Sequence, residues 1–190
     1  MLLFSMMGLC MSQDIREYAI TYGVKNLLLK LNWDVIAYNP PGSQGTFTIP
    51  NPSKDGGYRG QTGSESPDII AVKDSLVLIV ECKPSFNADD AKKLERLSSN
   101  EEKMEILTTL IRRVCKANSI PLPKTLTYIF ALAYQGKAHS VKNLGFIGVD
   151  VRSDFDITNL DAKSSYEDAF TAKLIPASSW ESSIRSLLEN

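Results

Sequence analysis

The stretch SPDIIAVKDSLVLIVECKPS, residues 66–85, decides the fold. Two runs of apolar and β-branched residues, 67–72 and 75–83, flank the dipeptide Lys73-Asp74, and this pattern predicts a β-hairpin. The second run contains LVLIV without a polar interruption, which is typical of a strand buried on both faces. We therefore predict that the hairpin contributes the central strand of a sheet.

The sequence around the hairpin predicts further helices and strands. From Ser12 onward, apolar residues such as Ile15, Ala19 and Tyr22 recur at near-helical spacing and predict a first helix. We expect strands at residues 33–38, 125–134 and 144–151, two helices within 89–117 separated near 98–100, and a final amphipathic helix at 178–190. This order predicts an α/β (α+β) fold with a central mixed β-sheet flanked by helices.

The length of 190 residues suits one compact domain, which we place at residues 12–190. Residues 1–11 form an apolar N-terminal extension that lacks the positive region of a secretory signal and is too short to span a bilayer. A signal peptide is the alternative interpretation, and Met6, Met7 or Met11 is an alternative translation start. We expect a cytoplasmic protein without a membrane partner.

Cysteine and histidine content excludes several kinds of catalytic site. Cys10, Cys82 and Cys115 are far apart and have no CxxC spacing, so we expect free thiols in a reducing compartment. His139 is the single histidine, which excludes a histidine-based metal cluster and disfavours a serine or cysteine triad. Hydrolytic chemistry in this chain would therefore depend on carboxylates and lysine.

Positive charge is concentrated in one part of a chain whose formal net charge is -1. Residues 106–149 contain no acidic residue and six basic ones: Arg112, Arg113, Lys116, Lys124, Lys137 and Lys142. A local basic face that meets phosphates and an ordinary solvated surface are both open interpretations. His139 lies within this part of the chain, where we expect a phosphate contact or plain surface. Residues 39–66 are rich in Pro, Gly, Ser and Asn, which is typical of a long loop.

Charged side chains lie at the same end of both hairpin strands. Pro67-Asp68 opens the first run, and Glu81-Cys82-Lys83 closes the second. Because side chains alternate along a strand, Glu81 and Lys83 should share one face while Cys82 packs on the other, and the hairpin should bring Asp68 beside them. Charges at the end of apolar strands are costly unless they are paired or metal-bound. Asp68 and Glu81 would supply oxygen ligands for magnesium, or manganese in its place, and Lys83 would position or deprotonate a water or neutralise a phosphate.

The acidic-x-lysine spacing is a weak signal by itself. It recurs at Asp90-Ala91-Lys92, at Glu101-Glu102-Lys103 and at Asp161-Ala162-Lys163. Only the match at Glu81 ends an apolar run and follows a Pro-Asp pair at hairpin distance. A buried ion pair without catalytic activity is the alternative for these residues.

The combination of Pro67-Asp68 with Glu81-Cys82-Lys83 resembles the signature of the PD-(D/E)xK nuclease superfamily, whose members share the restriction-endonuclease-like fold. The order of elements between residues 14 and 117, and the strand that follows, are similar to that core. The resemblance implies a magnesium-dependent endonuclease that hydrolyses double-stranded DNA to 5′-phosphate and 3′-hydroxyl ends. It assigns Asp68, Glu81 and Lys83 as catalytic residues, with Asp68 and Glu81 as metal ligands.

Many members of this superfamily also place a glutamate on the first helix, and Glu17 is the best match here, with Asp14 second. The same segment, Asp14-Ile15-Arg16-Glu17, fits a helix capping box in which Glu17 satisfies backbone donors. A catalytic role and a capping role for Glu17 are both open.

The sequence contains no helix-turn-helix, zinc finger or second basic domain that would recognise DNA. We therefore expect either the small cleavage subunit of a heterodimeric type IIS restriction endonuclease, with a larger DNA-recognition subunit, or a self-sufficient restriction endonuclease with a homodimer partner. Both belong to restriction-modification systems. A Holliday-junction resolvase or repair nuclease of the same fold, and a catalytically inactive DNA-binding or assembly module, are the alternatives. We expect residues 39–66 to become ordered on DNA.

Overall fold

The computed structural model describes residues 17–43, 47–52, 63–139, 141, 143–151, 170–179, 182 and 184. Residues 17–30 are helical and are termed α1. The elements that follow are β1 (Asp34–Tyr38), β2 (Ile69–Lys73), β3 (Leu76–Cys82), α2 (Ala88–Ser98), α3 (Glu101–Ala117), β4 (Thr127–Tyr134), β5 (Leu144–Val151) and β6 (Phe170–Ile175).

The six strands form one mixed sheet in the order β1-β2-β3-β4-β5-β6. The pairs β1–β2, β2–β3 and β5–β6 are antiparallel, whereas β3–β4 and β4–β5 are parallel. The carboxyl ends of β3 and β4 therefore lie at the same edge of the sheet, which we call the site edge. The turn between β2 and β3 lies at the opposite edge, called the far edge.

Helices cover both faces of the sheet. Ile20, Val24 and Leu28 of α1 pack in a core with one face of the sheet, which includes Leu78, Val80 and Cys82 of β3. Leu94 and Leu97 of α2 and Leu107 and Ile111 of α3 pack in a second core with the other face, which includes Val77 and Ile79. Every residue of β3 is buried as a result. This explains why residues 76–80 of β3 are continuously apolar rather than alternating.

The predicted mixed sheet flanked by helices, and hence the α+β class, is confirmed. Strands β1 to β5 and helices α2 and α3 lie where the sequence predicts them, with ends that differ by at most two residues. The predicted first helix is helical from residue 17, and residues 12–16 lie outside the described part. Of the predicted helix at 178–190, residues 182 and 184 are described as helical. No helix among the described residues is both long and apolar enough to cross a membrane.

Strand β6 was not predicted from the sequence. It is an edge strand that pairs only with β5 among the described strands, and its exposed positions include Thr171, Lys173 and Ile175. Ala172 and Leu174 pack against the core on the face covered by α1. Two core contacts in a short segment give too weak a periodicity to separate a strand from a loop.

The segment 39–66, predicted as a long loop, is anchored to the domain where it is described. Phe47 and Ile49 are buried in the core under α2 and α3, and Ile49 forms an isolated β-bridge with Glu65. The Lys103 ammonium of α3 binds the Glu65 carboxylate and donates to the Gly63 carbonyl at 3.0 Å. Both ends of the segment are thus fixed, and residues 44–46 and 53–62 lie outside the described part.

Candidate active site

The hairpin register places Asp68 and Glu81 side by side at the site edge. Ile69 pairs with Val80 across the hairpin, so the next position pairs Asp68 with Glu81. The Asp68 Oδ2 accepts a hydrogen bond of 2.7 Å from the backbone N–H of Cys82, which fixes the carboxylate against β3. The predicted approach of these two carboxylates is therefore present.

Glu81 is the most enclosed of the site carboxylates, with 3% of its side chain exposed. Its Oε1 lies 2.6 Å from the ammonium Nζ of Lys93, on α2. Burial raises the pKa of Glu81 to about 8, and the negative charge of Asp68 adds to this, whereas Lys93 lowers it. A single lysine does not compensate for burial next to a second carboxylate.

The pKa of Asp68 is also raised. Burial is the largest cause and brings it to about 6, although the Cys82 N–H and the charges of Lys83 and Lys93 act in the opposite direction. The two carboxyls influence each other, so they share protons as a pair rather than titrating separately. The positive charges near the pair are too few to keep both carboxyls ionised.

Lys83 lies one residue beyond β3, and its Nζ is 2.6 Å from Glu17 Oε1 on α1. Glu81 and Lys83 thus form ion pairs with helices on opposite faces of the sheet, whereas strand alternation predicted one shared face. Burial lowers the pKa of Lys83, but the hydrogen bond and charge of Glu17 and the charge of Asp68 outweigh it, and the pKa is raised overall. Lys83 is therefore a cation at neutral pH, which favours a role in positioning or charge neutralisation over deprotonation of water.

Glu17 joins the site through this contact with Lys83. Its side chain has 17% exposure and its carbonyl accepts a 2.8 Å hydrogen bond from the Thr21 hydroxyl. Asp14 and the remainder of the predicted capping box lie outside the described residues. The described partner of the Glu17 carboxylate is the catalytic candidate Lys83.

Two residues of α2, Lys93 and Asp90, also belong to the site and were not predicted. Asp90 raises the pKa of both Glu81 and Lys83, and its buried Oδ2 has no hydrogen-bond partner in the described part of the chain. Asp90, Leu94 and Leu97 are spaced by four and three residues, so Asp90 lies on the buried stripe of the helix. A charged residue within that otherwise apolar stripe was the feature of the sequence that could have identified Asp90 as a site residue.

His139 lies in the loop after β4, where it is exposed. Its ring stacks on Phe86 with centroids 4.2 Å apart, and its backbone N–H donates to the Tyr134 hydroxyl at 2.7 Å. The described contacts of His139 are aromatic and do not include Asp68 or Glu81. This agrees with a surface position and leaves the predicted phosphate contact as a prediction.

The basic stretch does not form a single face. Because α3 leads into the start of β4, Arg112 and Lys124 lie toward the far edge, whereas Lys137 follows β4 at the site edge. Arg112 donates to the carbonyls of Pro123 at 3.0 Å and of Lys124 at 2.6 Å, which is a structural role. Lys142 lies outside the described residues.

The donor set at the site suits a hard divalent cation. Asp68 and Glu81 offer carboxylate oxygens, and magnesium is commonly held by one or two carboxylates while water and phosphate complete its octahedron. Among the described residues, no three His, Cys, Asp or Glu side chains form a metal-binding group. The raised pKa values of the two carboxyls and the unpartnered Oδ2 of Asp90 nevertheless indicate a site short of positive charge. The residues present therefore fit magnesium with two protein carboxylates.

The described cysteines are free thiols, as predicted. Cys82 and Cys115 are buried and unpaired in disulfides, and Cys82 packs in the core on the α1 face. Burial raises the pKa of the Cys82 thiol. Cys82 is therefore a core residue rather than a nucleophile.

Comparison of the chain with family models, with curated proteins and with solved structures gives no match.

Proposed function

We propose that this chain is a magnesium-dependent DNA endonuclease that hydrolyses phosphodiester bonds at the site edge. The observation that carries the proposal is the juxtaposition of Asp68 and Glu81 across the hairpin, with the Lys83 ammonium just beyond the same strand. The restriction-endonuclease-like fold and the PD-(D/E)xK assignment are parts of this proposal.

In the proposed mechanism Asp68 and Glu81 would hold the cation. The Cys82 N–H orients the Asp68 carboxylate, and the sheet together with α2 encloses the Glu81 side chain. When bound, magnesium would offset charge on the scissile phosphate and lower the pKa of a water ligand.

Lys83 supplies positive charge on the side of the site formed by α1. Its raised pKa keeps the ammonium protonated, so that it can contact a phosphate oxygen or orient the attacking water. Glu17 holds the ammonium at 2.6 Å and acts as a positioning residue.

The distribution of cations supports a partner that delivers the DNA. At the site edge Lys83 and Lys93 are paired with carboxylates, which leaves Lys137 of the basic stretch, whereas Arg112 and Lys124 lie toward the far edge. Affinity for DNA depends mainly on lysine and arginine that neutralise phosphates. We therefore favour the small cleavage subunit of a heterodimeric restriction endonuclease over a self-sufficient one.

The proposal is tested by incubating the purified chain with supercoiled plasmid at low salt, with magnesium and separately with manganese. The matched variants are Asp68→Asn, which keeps an acceptor for the Cys82 N–H, and Asp74→Asn in the hairpin turn at the far edge. Both remove one carboxylate from the same hairpin. We expect nicking by the wild type and by Asp74→Asn but not by Asp68→Asn, with 5′-phosphate and 3′-hydroxyl ends.

A product that is mainly nicked supports the one-strand subunit, and linear product supports a homodimer. Equal cleavage by Asp68→Asn would contradict the proposed site. No cleavage by the wild type, even with host extract that supplies a partner, would favour the inactive DNA-binding or assembly module.

A further inference from the structure

We propose that Lys93 is a built-in counter-ion that competes with the divalent cation for Glu81, and that Asp90 receives the Lys93 ammonium when the cation binds. This inference rests on the proposed function, because it concerns the same carboxylate. It describes how α2 sets the cation affinity of the site.

The Lys93–Glu81 contact is the first basis for this inference. The Nζ of Lys93 lies 2.6 Å from Glu81 Oε1, so one oxygen of a metal ligand is occupied by an ammonium group. With 3% of Glu81 exposed, water has little access to it. A divalent cation that binds Glu81 through this oxygen must displace Lys93 or repel it at short range.

The second basis is the position of Asp90. Asp90 and Lys93 are separated by three residues on α2, and such residues are neighbours on one helix face. Asp90 Oδ2 is buried and has no hydrogen-bond partner among the described residues. Because burying an unpaired charged oxygen is costly, Asp90 offers a favourable second position for the displaced ammonium.

The neighbouring lysine shows that this arrangement is specific to Lys93. Lys92 pairs with Asp89 at 3.2 Å, and these two side chains are 64% and 85% exposed. A pair of that kind contributes little and has no contact with Glu81. Lys92 is therefore a matched control of equal charge on the same helix.

The consequence is that Lys93 lowers the affinity of the site for a divalent cation. Without a cation, Lys93 partly neutralises the Asp68–Glu81 pair. With a cation, Lys93 moves about one helical turn to Asp90, so the net charge of the site increases by the charge of the ion alone. Removing Lys93 should then favour the ion-bound state, and removing the Asp90 charge should disfavour it.

The test is calorimetric titration of ion-free protein with manganese, without DNA, so that catalysis is not the readout. We expect Lys93→Met to bind manganese on the order of tenfold more tightly than the wild type, which corresponds to about 1.4 kcal/mol. Asp90→Asn should bind it several-fold more weakly, and Lys92→Met should match the wild type. The melting temperature with and without manganese is measured for each protein, and Lys93→Met should gain more from manganese than the wild type does.

Equal or weaker manganese binding by Lys93→Met, with no larger gain in melting temperature, would overturn the competition. Wild-type affinity in Asp90→Asn would overturn the role of Asp90. If Asp68→Asn loses manganese binding while Lys93→Met matches the wild type, the inference fails and the proposed metal site stands. If none of the proteins binds manganese, the inference and the proposed metal site fail together.

Discussion

At the residue scale, some side chains of the site are identified by the local sequence, and the others are placed there only by the packing of the helices. Asp68 and Glu81 were predictable because a hairpin register is a local property, and Lys83 because it directly follows the same strand. The face on which Lys83 forms its ion pair was not predictable, because it depends on the position of α1. Lys93 and Asp90 were not predicted, because their contact with the site depends on how α2 is rotated on the sheet. Whether Glu17 acts at the site or caps the helix likewise depends on the position of α1, which the local sequence does not give.

The role of Glu17 can be tested at this scale with Glu17→Gln. If Glu17 positions Lys83, single-turnover cleavage should slow by roughly ten- to a hundredfold. Manganese affinity should stay within about twofold of wild type, because Glu17 is not a proposed ligand. The control is Glu95→Gln on the exposed side of α2. A lower melting temperature with an unchanged cleavage rate would instead assign Glu17 to helix capping.

The carboxylate pair also predicts how stability depends on pH. In the ion-free protein burial raises the pKa of Asp68 to about 6 and that of Glu81 to about 8, and the charge of Asp68 contributes to the shift of Glu81. At pH values between the ordinary pKa values of the two carboxyls and these raised ones, the folded state binds more protons than the unfolded state. The free energy of unfolding should therefore fall as pH rises from about 4 to about 8. Urea denaturation with a chelator should show this decrease, and manganese should reduce it.

Glu81→Gln is the control for this pH dependence, since it removes the group with the larger shift. The decrease above pH 6 should then largely disappear. An unchanged slope in this variant would assign the pH dependence to other groups.

At the element scale, buried and strongly patterned segments were predictable and edge segments were not. β3 and β5 were predicted because burial on both faces produces uninterrupted apolar runs. β6 was missed because Ala172 and Leu174 are its only described side chains packed on the core. The whole segment 39–66 was predicted as a loop. The burial of Ile49 beneath the helices depends on contacts with distant residues, which the local Pro and Gly content does not indicate.

The packing of α1 matters for the site, because α1 carries Glu17. Leu28 is 0% exposed and Leu29 is 49% exposed, so the two residues form a matched pair on one helix. Leu28→Ala should lower the free energy of unfolding by roughly 2 to 5 kcal/mol, and Leu29→Ala by less than about 1 kcal/mol. Urea denaturation measures both, and similar losses for the two variants would contradict the described packing.

At the scale of the whole molecule, charge is divided between the two edges of the sheet. The sequence shows the basic stretch, but its division requires the parallel pairing of β3 with β4. Lys137 lies at the site edge and Lys124 toward the far edge. The position of Asp68 and Glu81 at the site edge, rather than this division, predicts where DNA lies on the molecule.

DNA should contact the site edge and leave the far edge free. Lys137→Glu should weaken binding of a short duplex by roughly five- to tenfold at low salt, because one phosphate contact is replaced by repulsion. Lys124→Glu should remain within about twofold of wild type. Fluorescence anisotropy with calcium in place of magnesium measures both. Greater loss for Lys124→Glu would place DNA on the opposite edge.

The central claim is that Asp68 and Glu81 act together as ligands of one catalytic cation. Its most direct test is single-turnover plasmid cleavage in magnesium by the wild type, Asp68→Asn, Glu81→Gln and the double variant. We predict that each single substitution slows cleavage on the order of a thousandfold and that the double variant is no slower than the slower single variant, because either loss disables the same site. Cleavage at the wild-type rate by either single variant, or losses that multiply in the double variant, would contradict the claim.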